Sequence, residues 1–283
     1  MRRLECSMKL ETVGAWSEQK LEILGKYVRA YNTVLEAQRR KGLSFHRVYI
    51  DAFAGAGEHI SRSTGDRIAG SPLEALSVSP PFEEYHFIEL RTDRADHLRS
   101  LVETRPNVYF YQGDCNRVPC ETVFPRVQFD EYRRAFCFLD PFGLHLKWEV
   151  FRKAAEMRTI EILLNFSIMD LNMNCGRRDP ESISPDQAAR LTAFWGDDSW
   201  RETVYTTDGV QRNLFGTPEK APNEAIVQGF CDRLRETAGF AFVAEPVPMK
   251  NSKGATVYYL VFAGPNETGA KIANSIFAAY RNP

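Results

Sequence analysis

The 283-residue chain lacks the long apolar segments that identify membrane and secreted proteins. No stretch approaches the roughly 18 consecutive apolar residues of a membrane-spanning helix. The N-terminal stretch MRRLECSMKLETVG also has no apolar run of the kind that signal peptides contain. We therefore expect a cytoplasmic protein that does not contact a membrane.

The chain also lacks paired cysteines. Its six cysteines are scattered, and no two of them form a CxxC pair, so a zinc or iron–sulfur site is not expected. Cys137 lies in an apolar run, which predicts an ordinary core residue. The even number of cysteines does not indicate disulfide bonds, because cytoplasmic proteins rarely form them.

An excess of basic residues is absent as well. The chain has 36 lysines and arginines against 37 aspartates and glutamates, and its formal net charge is -1. Dedicated nucleic-acid-binding proteins usually present a basic surface. Local basic clusters do occur at 39–41 and at Arg177 and Arg178. The composition therefore weakens a nucleic-acid function without excluding it, because an enzyme needs only one basic rim.

The motifs that bind nucleotide phosphates are missing too. No GxxxxGK[ST] sequence is present, which excludes a P-loop. The stretch DAFAGAG, residues 51–57, follows the apolar run HRVYI and contains a Gly-x-Gly. The third glycine of the dinucleotide fingerprint does not follow at the required spacing, and this argues against NAD.

Apolar runs and helical patterns alternate along much of the chain. Five strands are predicted from the runs RVYIDAF, EYHFIEL, NVYFY, AFCFLD and IEILLNF. Helices are predicted between them, for example from RTDRADHLRSLVET and KWEVFRKAAEM. The runs do not alternate clearly with polar residues, as expected of parallel strands that are covered on both faces. This pattern predicts an α/β fold with a doubly wound, mostly parallel sheet.

Two regions lie outside this alternation. Residues 17–41 have apolar residues at helical spacing, which predicts an amphipathic helix with Ser17 as its N-cap, in an N-terminal helical extension at 1–44. Residues 168–221 contain prolines, glycines and polar runs around one predicted helix at 185–195. We interpret them as an insertion in a single domain and as a candidate substrate-recognition region.

The C-terminal part predicts an antiparallel pair of strands. The apolar runs FAFVAEPVPM and ATVYYLVFAG are separated by the turn-forming stretch KNSKG, which predicts a hairpin. A last helix is predicted at 268–281.

Carboxylates stand at or beside the ends of four predicted strands, at Asp51, Glu89, Asp114 and Asp140. Ligands of open α/β sheets bind outside the carboxyl ends of the strands, so we expect these side chains around one pocket. Two of them also have a simpler explanation. Glu89 would favour the dipole of the following helix, and Asp114 would cap the next one.

The turn after the first strand contributes backbone to this pocket. Gly55 and Gly57 have no Cβ atom, so a ligand can approach the main chain closely. Phe53 and Ala54 belong to the same turn. Together with Asp51, Glu89 and Asp114, these four residues form the candidate cofactor-binding set.

The set predicts an adenosine pocket with a polar tail that carries no phosphate. S-adenosylmethionine fits this description and is the expected cofactor. Glu89 would bind the ribose hydroxyls, Asp114 the adenine amine, and Asp51 would face the cationic methionine end. No metal is expected.

The fourth strand ends in LDPFG, residues 139–143. Amino-methyltransferases have Asp/Asn-Pro-Pro-aromatic at this position, where the acidic or amide side chain and a backbone carbonyl bind the target amine and the aromatic ring stacks on it. Asp140, Pro141 and Phe142 resemble this motif and are the candidate catalytic residues, although the second proline is absent. The Asp-Pro-Phe-Gly form resembles that of tRNA guanine-N2 dimethyltransferases. The alternative is an ordinary strand-terminating turn.

Two further residues are weaker candidates for chemistry. Cys120 follows Pro119, and a Pro-Cys pair is the nucleophile of cytosine-C5 methyltransferases. There the pair follows the fourth strand, whereas here it follows the third. His145 is a candidate general base, but a surface or capping histidine is the better explanation.

Four residues are weaker candidates for substrate contact. Trp195 and Trp200 in the insertion are candidates for stacking on a flipped base, but aromatic residues at such spacing are more often core. Asn165 and Ser167 end the fifth strand and are candidates for lining the acceptor site.

An ordered set of motifs resembles the three-Cys-motif partner protein family over residues 16–281. The motifs are YIDAFAGAG, AGSPLEAL, FIEL, GDCN, FLDPFG and YYLVFAGPNETGAKI. The resemblance implies the fold of class I S-adenosylmethionine-dependent methyltransferases, a seven-stranded sheet with a C-terminal reversed hairpin. AGSPLEAL would form the helix after the first turn, with Pro72 at its first position.

The resemblance also implies a function and a partner. The implied activity is S-adenosylmethionine-dependent methylation. The DPFG motif makes an amine nitrogen of an RNA or DNA base our first acceptor hypothesis. Family members are encoded beside radical S-adenosylmethionine proteins that carry the three-cysteine motif, so a non-catalytic partner of such a protein is an alternative. A nucleic-acid-acting defence component that uses the 168–221 insertion is another.

Overall fold

The computed structural model describes residues 9–102, 105–175, 182–206 and 219–281. The strands are β1 Thr12–Val13, β2 His46–Asp51, β3 Glu58–Ser61, β4 Arg67–Ala69, β5 Glu84–Glu89, β6 Val108–Gln112, β7 Arg133–Leu139, β8 Ile160–Phe166, β9 Tyr205–Thr206, β10 Glu219–Lys220, β11 Phe242–Val243, β12 Val247–Lys250 and β13 Thr256–Gly264. The α-helices are α1 Ala15–Arg39, α2 Ser71–Ser77, α3 Thr92–Leu101, α4 Trp148–Met157, α5 Ile168–Asp170, α6 Pro185–Trp195, α7 Trp200–Val204, α8 Asn223–Arg233 and α9 Glu267–Arg281.

The main sheet has the strand order β6-β5-β2-β7-β8-β13, and β11 and β12 both pair with β13. Strands β2, β5, β6, β7 and β8 are parallel to one another, whereas β13 is antiparallel to β8. The predicted doubly wound, mostly parallel sheet with a C-terminal antiparallel hairpin is thereby confirmed. This is the arrangement that the resemblance to class I methyltransferases implies.

The predicted strand FAFVAEPVPM is divided in two, so the described residues form eight strands in this sheet instead of seven. Residues 244–246 leave the ladder between β11 and β12, although the Ala244 amide still donates to the Phe262 carbonyl. Pro246 has no N–H to donate to a ladder, which explains the interruption beside it.

Both faces of the sheet are covered by apolar side chains, as the unbroken apolar strands predict. Along β2, Val48 and Ile50 face one core cluster and Tyr49 faces the other. Cys137 is fully buried in the first cluster, which confirms that it is a core residue. Helices α4, α6 and α8 contribute to that cluster, while α1, α2, α3 and α9 contribute to the second. None of the helices in the described ranges is both long and apolar enough to cross a membrane.

The described part of the segment 168–221 packs into the first core cluster. Trp195 and Trp200 are 1% and 0% exposed, so the hypothesis that they stack on a base is wrong. Their large apolar rings contribute more by burial in the core than they could at the surface. Arg177 and Arg178 lie outside the described residues.

The N-terminal part differs from the prediction in two ways. Helix α1 begins at Ala15 after Gly14, so Ser17 lies in the first turn and is not the N-cap. Strands β3 and β4, between the first glycine turn and α2, form a small three-stranded sheet with β1, which precedes α1, and this sheet was not predicted. Strands of two to four residues are too short to show a period-2 pattern, and this explains the omission.

Candidate active site

A cavity of about 790 Å³ opens at the carboxyl ends of the parallel strands. Its wall includes eight residues that the sequence predicts for the site, which are Phe53, Ala54, Gly55, Glu89, Asp114, Asp140, Pro141 and Phe142. The two other predicted residues, Asp51 and Gly57, lie outside this wall. The fold therefore brings most of the predicted cofactor-binding and catalytic residues together around one space.

The first turn depends on glycine at two positions for different reasons. Gly55 and Gly57 have φ angles of 62° and 85°, which residues with a Cβ atom rarely adopt. At Gly55 an added Cβ would have space, because its nearest neighbour, the Phe53 carbonyl oxygen, would be 3.9 Å away. At Gly57 it would lie 2.6 Å from Leu98 Cδ1. Gly55 thus leaves room at the cavity, and Gly57 allows the turn to pack against α3.

Asp51 lies completely buried behind the cavity. Its carboxylate accepts hydrogen bonds from the Tyr49 hydroxyl and the Phe53 amide, each at 3.2 Å. Desolvation raises the pKa of Asp51 to about 7. Hydrogen bonds from Ser71, Phe53 and Tyr49 lower this pKa, but their effect is smaller than that of desolvation. Ser71 lines the cavity in front of it and was not predicted from the sequence. Asp51 therefore supports the turn from within, and its contact with a cofactor stays a prediction.

Glu89 connects the ends of two neighbouring strands. Its Oε2 accepts a hydrogen bond from the Gly55 amide at 2.9 Å, and its Oε1 accepts one from the Arg91 amide at 2.8 Å. The side chain is half-buried in the cavity wall. Each carboxylate oxygen can accept more than one hydrogen bond, so both remain able to bind donor groups of a ligand.

Asp114 both closes a turn and faces the cavity. Its Oδ1 accepts from the Asn116 amide at 2.9 Å and from the Asn116 side chain at 3.1 Å, which closes the turn after β6. The side chain is nevertheless exposed at the cavity wall. Asn116 in turn accepts from the Lys147 amide at 2.7 Å, so this turn is attached to the segment after the DPFG motif.

The carboxylate of Asp140 is held from two sides. Lys20 Nζ lies 2.7 Å from Oδ1 and 2.5 Å from Oδ2, and Asn165 Nδ2 donates to Oδ1 at 2.7 Å. Asn165 was a predicted candidate, and it lines the cavity with Ser167. Lys20 was not predicted, because one lysine in an amphipathic helix has no distinguishing pattern.

Phe142 stands at the cavity with 66% of its surface exposed. The guanidinium of Arg94 lies 5.6 Å from the centre of its ring. Behind it, Gly143 has a φ of 76°, and the Leu144 amide donates to Asp170 Oδ2 at 2.8 Å. These contacts fix the DPFG turn so that the aromatic ring points outward.

The N-terminal segment 9–21 covers part of the cavity. Ion pairing joins Glu11 to Arg94, and the Ser61 hydroxyl donates to Glu18 at 2.7 Å. Strand β1 pairs with β3 in parallel, which attaches this segment to the small sheet. A role for this segment in the site was not predicted, because the pairing joins residues far apart in the sequence.

The two weaker candidates for chemistry have different positions. Cys120 lies outside the cavity wall, and desolvation raises its pKa to about 11. A thiol with that pKa is a poor nucleophile, which contradicts the cysteine hypothesis. His145 lines the cavity, is exposed, and has its Nε2 3.3 Å from a guanidinium nitrogen of Arg190.

Comparison with known proteins finds similarity in structure only. No family model matches the chain, and no curated protein matches it. The protein LPL1258 of family DUF519 from Legionella pneumophila aligns with a TM-score of 0.50 and 11% identity over 93% of each chain. A putative S-adenosylmethionine dependent methyltransferase from Listeria monocytogenes aligns with a TM-score of 0.46 and 11% identity, over 89% of this chain and 98% of that one. At such identities, the first similarity shows a common fold.

Proposed function

We propose that the protein is an S-adenosylmethionine-dependent methyltransferase that acts on an amine nitrogen of a nucleic-acid base and belongs to the three-Cys-motif partner family. The main support is one geometric observation. Glu89 and Asp114 stand at the ends of β5 and β6 on one side of β2 and its glycine turn, whereas the Asp140–Phe142 motif follows β7 on the other side of β2. Residues of both groups line the same cavity. A site that joins two reactants needs such a division.

The cavity residues fit the cofactor. A volume of about 790 Å³ lies in the range of small-molecule sites, roughly 300–1,000 Å³. Glu89 presents a half-buried carboxylate whose oxygens can accept from two ribose hydroxyls. Asp114, which lines the same cavity, accepts from the adenine amine in this proposal. Gly55 leaves room for the ligand beside the turn.

On the acceptor side, Asp140 accepts hydrogen bonds from the target amine and Phe142 stacks on its ring. When bound, S-adenosylmethionine supplies an electrophilic methyl group: the nitrogen lone pair forms the new C–N bond, the C–S bond breaks with its electrons left on sulfur, and the surplus proton on nitrogen passes to water. The protein's contribution is alignment, because holding two reactants in contact geometry removes much of the entropic barrier.

Calorimetry with S-adenosylmethionine tests the proposal. We expect the wild type to bind and Glu89→Ala to bind roughly 10- to 150-fold more weakly, as the loss of hydrogen bonds to a charged group predicts. Glu149→Ala is the matched control, because Glu149 is exposed on α4 and lies outside the cavity wall. If the wild type does not bind, the proposal is wrong.

Association with a three-Cys-motif radical S-adenosylmethionine protein is the second part of the family proposal. The resemblance of the sequence motifs supports it. Co-purification of the two proteins, expressed together, tests the association. A complex that forms equally well with the Glu89→Ala variant would favour a binding role that does not need the cofactor site.

A further inference from the structure

Lys20 is a buried cation at the acceptor side of the cavity. The residue is 8% exposed, and its ammonium contacts both oxygens of Asp140. The ring of Tyr258 lies 5.4 Å from Nζ, and its hydroxyl donates to the Trp16 carbonyl at 2.6 Å. This bond holds the first turn of α1 against β13, so the position of Lys20 is well defined.

The ion pair between Lys20 and Asp140 changes which ligands the acceptor side of the cavity attracts. A carboxylate alone in a half-buried site would bind an aliphatic ammonium, such as a lysine side chain or a polyamine. Lys20 neutralises the charge of Asp140, so this carboxylate attracts such a cation much less strongly. A second ammonium would have to displace Lys20 or lie beside it, and like charges at that distance repel.

Asn165 supplies a second, unused acceptor. Its Nδ2 donates to Asp140, and this fixes the orientation of the amide, because a flipped amide would place its oxygen against the carboxylate. Its Oδ1 is buried and accepts no hydrogen bond in the described part of the chain. A buried acceptor without a donor is costly, which favours a ligand that brings an N–H group.

We propose that Lys20 determines the acceptor class, so that the site takes a neutral amine conjugated to a planar ring and rejects aliphatic ammonium groups. This rests on the proposed function and deepens it. Such an amine has two N–H groups for Asp140 and Asn165, and its ring matches the exposed face of Phe142. The exocyclic amines of nucleobases have this chemistry. Lys20 acts through Asp140 and is a specificity residue.

The first test needs no cofactor and uses propylammonium as the probe, with binding measured by saturation-transfer NMR. We expect Lys20→Met to bind it about tenfold more tightly than the wild type, because a charge-assisted hydrogen bond to Asp140 becomes possible. Lys20→Arg keeps the charge and should behave as the wild type. Lys26→Met is the control on the same helix, where Lys26 is exposed and pairs with Glu22.

The tighter binding of propylammonium by Lys20→Met must also depend on Asp140. In the double variant Lys20→Met/Asp140→Asn, propylammonium binding should return to the wild-type level. Thermal unfolding of each variant shows that it is folded before binding is compared. If Lys20→Met binds propylammonium no better than the wild type, the proposal is overturned.

The second test determines which acceptor receives the methyl group. The enzyme is incubated with isotope-labelled S-adenosylmethionine and, in separate arms, with total RNA, denatured genomic DNA and polylysine. Label on exocyclic amines of RNA or DNA bases supports the proposal, and the two arms distinguish the nucleic acids. Label on polylysine overturns the proposal. A result in which the cofactor binds but none of the three acceptors carries label overturns it as well. A wild type that does not bind the cofactor instead contradicts the proposed function, and the propylammonium test still decides the role of Lys20.

Discussion

The carboxylate of Glu89 accepts a hydrogen bond from the amide of Gly55, with 2.9 Å between N and Oε2. This bond joins the turn after β2 to the end of β5, which are 34 residues apart in the sequence. The second oxygen accepts from the Arg91 amide, so one side chain holds two backbone turns. The cofactor side of the cavity is thus preorganised before a ligand binds, which reduces the entropic cost of binding.

Replacing Gly55 with alanine is expected to damage binding more than stability. The positive φ of Gly55 costs an alanine about 1–2 kcal/mol, and its Cβ would project into open space. Gly65→Ala is the matched control, because Gly65 has a φ of 80° and no atom within 4 Å of an added Cβ. Calorimetry and urea unfolding should show similar stability loss in both variants but weaker S-adenosylmethionine binding in Gly55→Ala alone. Equal binding by the two variants would contradict the role of Gly55.

Gly57→Ala is expected to reduce stability more than Gly65→Ala does. Both positions have a left-handed φ, but the new methyl group at Gly57 would meet buried Leu98 at 2.6 Å. Overpacking of this kind costs about 1–3 kcal/mol beyond the backbone strain. The difference in free energy of unfolding between the two variants, measured in urea, checks this. Identical values would mean that Leu98 moves aside without cost.

Phe142→Ala is expected to weaken acceptor use without loss of stability. The ring is 66% exposed, so its removal should change the free energy of unfolding by no more than about 0.5 kcal/mol. Loss of stacking on a base should raise KM for the acceptor by roughly 5- to 150-fold, equivalent to about 1–3 kcal/mol. Phe129→Ala is the control, since Phe129 is 62% exposed and also lies under an arginine, but outside the cavity wall. An unchanged KM would exclude stacking.

The buried carboxyl of Asp51 predicts a pH dependence of stability. Its pKa is raised to about 7 in the folded protein, above the roughly 3.9 of an unfolded aspartate. The folded state therefore binds more protons between these values, and the stability contributed by Asp51 is lost as pH rises through about 7. We expect the difference between wild type and Asp51→Asn, from urea unfolding at pH 5 to 8, to change by up to about 1.4 kcal/mol per pH unit. A flat difference would mean that Asp51 is ionised throughout.

Much of the fold follows from local patterns. Apolar runs without alternation predict β2, β5, β6, β7 and β8, because strands covered on both faces need apolar residues throughout. The KNSKG turn predicts the pairing of β12 with β13, and the register confirms it. The small sheet β1-β3-β4 was missed, since β1 is two residues long and pairs with a strand more than 45 positions away.

Some residues of the candidate site could likewise be predicted from the sequence, and others could not. Glu89, Asp114 and Asp140 could be predicted because parallel strands place their carboxyl ends at one edge of the sheet. The burial of Asp51 could not be predicted from the sequence, because it depends on Tyr49 and Ser71, which pack in front of the carboxylate.

The sequence by itself determined the α/β class, the strand-end carboxylates and the DPFG turn, because these depend on residues close together in the chain. Only the tertiary structure decided that Gly57 serves packing, that Trp195 and Trp200 are core, and that Lys20 reaches Asp140. Lys20 and Asp140 are 120 residues apart, and no local pattern encodes a contact that forms only when α1 packs across the ends of the sheet.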